Sequence, residues 1–233
     1  MKKAVNNLSI VLCYVILISF FAGCGLFFNP SKHVQAALDF VYKGEFDEYS
    51  KLNSVSIDQL KSEYEANYQE RANQLAKFLS FVDKNGNVKM NESVRSQTVE
   101  FAKKLYSKAN YKISDSVEKM GNYGYIVHAS VSPIILFEDV KNKIQNFANE
   151  YNADITNGKY NDKNAYSEDD VNTIYQQGIL DIINQNIDNV RYAEPQNVEL
   201  RFIHTGRATT EGENTICEDD ISELSKLIVK YPH

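Results

Sequence analysis

Apolar residues recur at helical spacing over most of the chain. This pattern predicts a helix from Ser31, as its N-cap, to Gly44, with one or two further helical turns over 46–52. Ser56 and Gln59 fit a capping box that opens a long helix, and the apolar stripe of that helix runs to Val82. Further helices are predicted over 91–109, 136–151, 168–187 and 220–229.

Between these helices, three segments alternate apolar and polar residues, which is typical of half-buried strands. Residues 111–117 and 125–131 predict a β-hairpin with its turn at 119–122. Residues 198–203 predict a third strand, and a short fourth strand is expected near Thr215 and Ile216. This order of elements argues against alternating βαβ units. It predicts a helix-rich α+β fold in which helices pack on a small antiparallel sheet.

The N-terminal segment has a different pattern. Lys2 and Lys3 precede an apolar run from Leu8 to Ala22, which is the plan of a secretory signal peptide. A run of about fifteen residues is shorter than the roughly 20 that a membrane-spanning helix needs. The pattern therefore favours a cleaved leader over a permanent anchor helix.

The run ends in Phe21-Ala22-Gly23-Cys24, which resembles the lipobox of bacterial lipoproteins. In that family the cysteine thiol receives a diacylglyceryl group, and the leader is cut immediately before the cysteine. The resemblance implies a signal peptide over 1–23, cleavage between Gly23 and Cys24, and a lipid anchor with fatty acids such as palmitate on Cys24. It places the protein at the extracytoplasmic face of the cell membrane, and two or more acyl chains make such an anchor stable. The alternative is a chance cysteine at the end of a signal peptide or of an N-terminal anchor helix.

After the leader we expect a lipidated tether over 24–30 and a single extracytoplasmic domain over 31–233. Removing residues 1–23 takes away two lysines and no acidic residue, which changes the formal charge from −6 to about −8. A chain this acidic is a poor nucleic-acid binder, because that binding requires lysine and arginine at the phosphates. Cys217 is then the remaining free cysteine, and we expect it to be a small buried residue.

Candidate chemistry is sparse. His128 and His204 lie on predicted strands and are weak catalytic candidates, because pairing of the strands could bring them together near Glu118 or Glu199. Surface or strand-end histidines remain the favoured interpretation. The segment 83–87 resembles the start of a calcium loop, but Val88 stands where glycine is required and Val94 where glutamate is required, which favours a helix-linking turn.

The acidic stretch 161–170 is interpreted as a solvated loop that ends in a helix cap, with a cation or a basic partner as the alternative. We predict no metal and no cofactor. No serine-elbow, phosphate-loop or paired-cysteine motif is present, so the well-marked enzyme classes are not indicated.

Residues 30–46 and 192–198 are similar to a group of Gram-positive lipoproteins of unknown function, a resemblance that supplies no activity. The first hypothesis is therefore a non-enzymatic binding or interaction module, held at the membrane by Cys24 and facing an unknown envelope protein or ligand. The second is an envelope enzyme or small-ligand receptor with a pocket between sheet and helices, as in folds that resemble nuclear transport factor 2. An inward-facing His128 or His204 would identify that pocket.

Overall fold

A computed structural model describes residues 28–121, 124–162, 165–204 and 214–232, and these form two compact units. Unit 1 comprises the described parts of segments 1–60, 110–133 and 194–228. Unit 2 comprises those of segments 61–109, 134–193 and 229–233. The predicted helix-rich α+β fold is confirmed. Whether 31–233 behaves as a single domain stays a prediction.

The described residues contain seven α-helices and four strands. The helices are α1 (Pro30–Leu38), α2 (Asp47–Asn53), α3 (Ile57–Phe78), α4 (Glu92–Ser107), α5 (Leu136–Thr156), α6 (Glu168–Asn186) and α7 (Glu218–Ile228). The strands are β1 (Asn110–Lys119), β2 (Gly124–Ser132), β3 (Gln196–His204) and β4 (Asn214–Ile216). Helix α1 continues into one π-helical turn, Asp39–Lys43, and ends at Gly44, whose φ of 70° is left-handed as the sequence suggests.

The four strands form an antiparallel sheet in unit 1 with the order β1-β2-β3-β4. Side chains alternate between its two faces. One face is apolar and buried, and it packs against α1 and α7; its buried side chains include Val127, Ala129, Val131, Leu200 and Phe202. We call this the covered face. The opposite face of the sheet is the open face.

Helix α1 begins two residues before the predicted position. Asn29 is the N-cap, and its side-chain oxygen accepts a hydrogen bond from the Lys32 amide at 3.0 Å. Ser31, the predicted cap, is buried inside the first turn and donates to the Ser114 carbonyl oxygen at 2.6 Å. The ordered structure of unit 1 thus already includes Asn29 and Pro30, which the sequence assigned to the tether.

Unit 2 is helical, and α6 packs against both α4 and α5. Phe78, Phe137 and Tyr231 form an aromatic group with ring centroids 4.6 to 5.2 Å apart. The predicted cap at the start of α6 is confirmed as a capping box between Ser167 and Asp170.

Two helix ends in unit 2 differ from prediction. Helix α3 ends at Phe78 rather than near Val82, because Ser80 is left-handed at φ 63° and the chain turns back there. Helix α5 continues to Thr156, so the exposed loop that follows is shorter than the predicted 152–166. Across the described residues, no helix combines the length and the apolar character that crossing a bilayer requires.

Candidate functional site

The open face of the sheet carries most of the chemistry of unit 1. The register of the strands places polar side chains there, and these are exposed or half-buried: Lys112, Glu118, His128, Ser130, Asn197 and Glu199. Such an alternation, apolar on one face and polar on the other, is typical of an antiparallel sheet with one solvated side. The open face is therefore where unit 1 can meet a ligand.

A β-bulge shapes this face. Ile113 pairs with Ala129 and Val117 pairs with Val127, so three β1 residues, 114–116, lie opposite the single β2 residue His128. The Ser114 side chain accepts a hydrogen bond from the Ser116 amide at 3.1 Å, and Ser31 of α1 holds the Ser114 carbonyl from the covered side. Bulges of this kind bend the strand and redirect side chains, often beside functional sites.

The bulge opens a groove of about 620 Å³ on the surface of the sheet. We call it the bulge groove. Its lining is mostly polar, with two apolar residues: Lys112, Ile113, Ser114, Asp115, Ser116, His128, Ala129, Ser130 and Asn197. Its hydroxyl, amide and imidazole groups offer both donors and acceptors.

His128 is the only titratable imidazole in that lining. Its Nε2 lies 3.1 Å from Glu118 Oε1, and the strand register places Glu199 directly opposite. The side chain of His128 is 37% exposed. A carboxylate at this distance orients an imidazole and can support proton transfer.

The two candidate histidines do not come together. β2 and β3 pair as expected, but His128 is opposite Glu199, and His204 follows Glu199 by five residues. That separation is roughly 17 Å along a strand. His204 is instead the register partner of Asn214 at the end of β3, and its side chain lies outside the described part of the chain.

Among the described side chains, no inward-facing strand histidine identifies a pocket between sheet and helices. On the covered face the apolar side chains of β2 and β3 fill the space against α1 and α7. His128 points away from this core to the open face. His128 therefore does not supply the inward-facing polar group that would identify such a pocket.

A second cleft, of about 530 Å³, lies beside the π-helical turn of unit 1 and includes Asp39 in its lining. Burial alone would raise the pKa of Asp39. Hydrogen bonds from Gln35, Lys43 and Tyr111 outweigh burial and hold the pKa below its ordinary value. Because these partners satisfy the carboxylate, we interpret Asp39 as a structural group that fixes α1 against β1.

The remaining candidates are structural or untested. In segment 83–87, Asp83 Oδ1 accepts from the Asn85 and Asn87 amides at 2.8 and 3.0 Å, which is the geometry of a turn. Lys89 pairs with Asp169 at 2.8 Å, and no cluster of metal-ligating side chains occurs among the described residues. Cys217 is half-buried rather than fully buried.

Gly23 and Cys24 lie outside the described residues, so lipidation and cleavage there stay predictions.

The bulge itself was not predicted, although the sequence carries a signal for it. Strict alternation from Tyr111 and Ile113 would direct Asp115 toward the covered face. A carboxylate is costly in an apolar core, and the bulge keeps Asp115 exposed.

The fold is similar to that of a candidate lipoprotein, ycdA from Bacillus subtilis, with a TM-score of 0.56 to its crystal structure at 14% sequence identity. The match covers 87% of this chain and 56% of that chain, so this chain spans a little over half the length of ycdA. At this identity the similarity shows the fold alone. No protein-family model and no curated protein matches the chain.

Proposed function

We propose that this protein is a lipid-anchored extracytoplasmic binding module, attached to the cell membrane through Cys24. The observation that carries the proposal is the lipobox-like Phe21-Ala22-Gly23-Cys24 at the end of a short apolar run that follows two lysines. The similarity of fold to a candidate lipoprotein supports it. The finer assignments, which are the signal peptide, the acyl groups and the extracytoplasmic face, belong to the same proposal.

The binding surface in this proposal is the bulge groove. It is a surface groove rather than an enclosed cavity, and most of its lining side chains carry hydrogen-bond donors or acceptors. Enzyme sites usually enclose the reacting groups and exclude water. A solvent-open groove on a rigid sheet instead suits recognition of a polar segment of an envelope partner.

The anchor is tested by metabolic labelling with a fatty acid in a bacterial host. We expect the wild-type protein to take up label and to fractionate with membranes. Cys24→Ala should lose both properties. Cys217→Ala is the matched control, because it removes a cysteine outside the lipobox and should keep both. Label that persists in Cys24→Ala would overturn the anchor.

The groove is tested separately by capture of partners from envelope extract. Ser130→Arg places a long side chain in the bulge groove, and Ser107→Arg places the same side chain on an exposed position of α4. We expect Ser130→Arg to lose partners that both the wild-type protein and Ser107→Arg retain, with unchanged circular dichroism. Equal capture by the two variants would contradict the groove as the binding surface.

A further inference from the structure

A cluster of four rings lies at one end of the sheet in unit 1. The Phe28 ring is 4.7 Å from the His33 ring and 5.8 Å from the rings of both Tyr125 and Phe202, measured between centroids. We call these four residues the Phe28 cluster. Phe202 and His33 are buried beneath, whereas Phe28 is 38% exposed and Tyr125 is half-buried. The outer surface of the cluster is therefore aromatic and partly open to solvent.

The chain reaches this cluster directly from the proposed anchor. Phe28 follows Cys24 by four residues, and four residues span at most about 14 Å even when fully extended. Half of the difference between a bilayer and its hydrocarbon core gives a headgroup layer roughly 5 to 8 Å thick. A lipid on Cys24 thus confines the Phe28 ring to the vicinity of the headgroups.

Aromatic rings favour this environment. Tyrosine has an apolar ring and a polar hydroxyl and is enriched at the boundary between headgroups and acyl chains, and phenylalanine occurs on the membrane-facing side of interfacial helices. Lys119 is exposed and is the register partner of Tyr125, so a cation accompanies the rings at this end of the sheet. The long stem of a lysine also suits an interface.

A weak contact between unit 1 and the bilayer is sufficient to favour one orientation of the unit. The anchor makes contact between unit 1 and the bilayer intramolecular, so the effective concentration of lipid surface is already high. A tenfold preference for one orientation needs only ~1.4 kcal/mol.

We propose that the Phe28 cluster rests on the lipid surface and orients unit 1 with this end of its sheet toward the membrane. This inference rests on the proposed lipid anchor. Because the mature chain has a net charge of about −8, the contact depends on the rings rather than on attraction to anionic lipid. It should therefore change little with salt.

The orientation can be tested by tryptophan fluorescence, because the chain contains no tryptophan of its own. Phe28→Trp introduces one reporter into the full-length protein, which is purified from host membranes. It is then reconstituted into vesicles of phosphatidylethanolamine and phosphatidylglycerol, with or without brominated acyl chains. Gln196→Trp is the control, because Gln196 is exposed on β3 six residues before Phe202, about 20 Å along the strand. Intact mass measures lipidation of both variants.

We expect brominated lipid to reduce Phe28→Trp emission roughly twofold, as for a ring at the interface, and to leave Gln196→Trp nearly unchanged. A lipidated protein in which both reporters are quenched equally, or neither is, overturns the orientation and leaves the anchor intact. A blue-shifted Phe28→Trp without bromine quenching indicates contact with protein, and it also overturns the orientation. An unlipidated protein overturns the anchor and, with it, this inference.

Discussion

Arg71 is a cation held inside the aromatic core of unit 2. It is 2% exposed, and its guanidinium carbon lies 4.1 Å from the centroid of the Tyr106 ring and 5.4 Å from that of Tyr68. Burial raises the pKa of Tyr68 above its ordinary range, so its hydroxyl stays neutral beside the cation. Ring faces are favourable partners for a desolvated guanidinium, which is planar and can stack on them.

Arg71→Lys is expected to lower the free energy of unfolding by ~2–3 kcal/mol, because an ammonium loses the stacking and is strongly hydrated in water. Arg71→Met should cost less, since it fills similar space without a charge to desolvate. Urea unfolding monitored by circular dichroism measures both. A lysine variant as stable as the wild type would contradict the stacking account.

His33 makes unit 1 sensitive to mild acid. Burial lowers its pKa, a hydrogen bond with the Asn29 carbonyl opposes this, and Lys32 adds a smaller lowering against Glu48. The unfolded chain then binds the proton more readily, because the pKa of His33 returns there to its ordinary value of 6.5. The contribution of neutral His33 is fully present above that pH and is lost as pH falls through the lowered folded value.

We therefore expect the wild type to lose stability between about pH 7.5 and pH 5 by more than His33→Phe does, since this variant cannot titrate. The phenylalanine ring keeps the packing between Phe28 and Phe202. Urea unfolding at the two pH values gives the comparison. Equal losses in the two proteins would exclude His33 as the acid-sensitive group.

The sequence predicts the roles of some residues, such as helix caps, but not the roles of others. Asn29 and Ser31 are equally suitable capping residues, but Pro30 favours the first helical position and so indicates Asn29 as the cap of α1. The capping box at Ser167 was predicted because both of its partners are local. The stacking of Arg71 on Tyr106 joins α3 to α4, which are distant in sequence, and no local pattern indicates it.

The helices and strands were predicted from their periodicity, but helix ends and the strand irregularity differ from prediction where tertiary packing overrides the pattern. The apolar stripe of α3 continues into Leu79 and Phe81, which are buried after the helix has ended. The apolar stripe therefore indicates which residues are buried and does not show where the helix ends. For this reason the predicted end of α3 was too late. The bulge in β1 was missed for the same reason, because alternation describes an undisturbed strand.

The contact between α5 and α6 depends on a glycine. A Cβ added at Gly178 of α6 would lie 2.0 Å from Phe147 Cζ of α5, and the Phe147 ring also stacks on Tyr175 at 5.9 Å. Glycine inside a helix ordinarily costs about 1 kcal/mol relative to alanine. Close packing of the two helices explains why the chain has glycine here.

We expect Gly178→Ala to lower the free energy of unfolding by ~1–2 kcal/mol in the wild-type background, because the added methyl overpacks the interface. In the Phe147→Ala background the same change should raise it by about 1 kcal/mol, the ordinary helix preference. Thermal and urea unfolding of the four proteins complete the cycle. Stabilisation by Gly178→Ala in both backgrounds would show that the ring moves aside at no cost.

At the scale of the whole molecule, the sequence predicts the fold class correctly but does not predict the division into two units, and the class of anchor stays a prediction. Each unit is assembled from three separated segments, so the division depends on contacts between residues that are distant in sequence. The geometry of the candidate site also could not be predicted from the sequence. His128 and Glu118 were both noted, but their 3.1 Å contact depends on hairpin register, and the groove beside them depends on the bulge.

The central claim is attachment through Cys24, and mass spectrometry of the mature N-terminus tests it most directly. The protein is purified from the membrane fraction of a bacterial host and digested, and the peptide that contains residue 24 is identified. We predict that this peptide begins at Cys24 and carries a diacylglyceryl group on its sulfur. A peptide that retains Gly23, or one that begins at Cys24 with an unmodified thiol, would contradict the account.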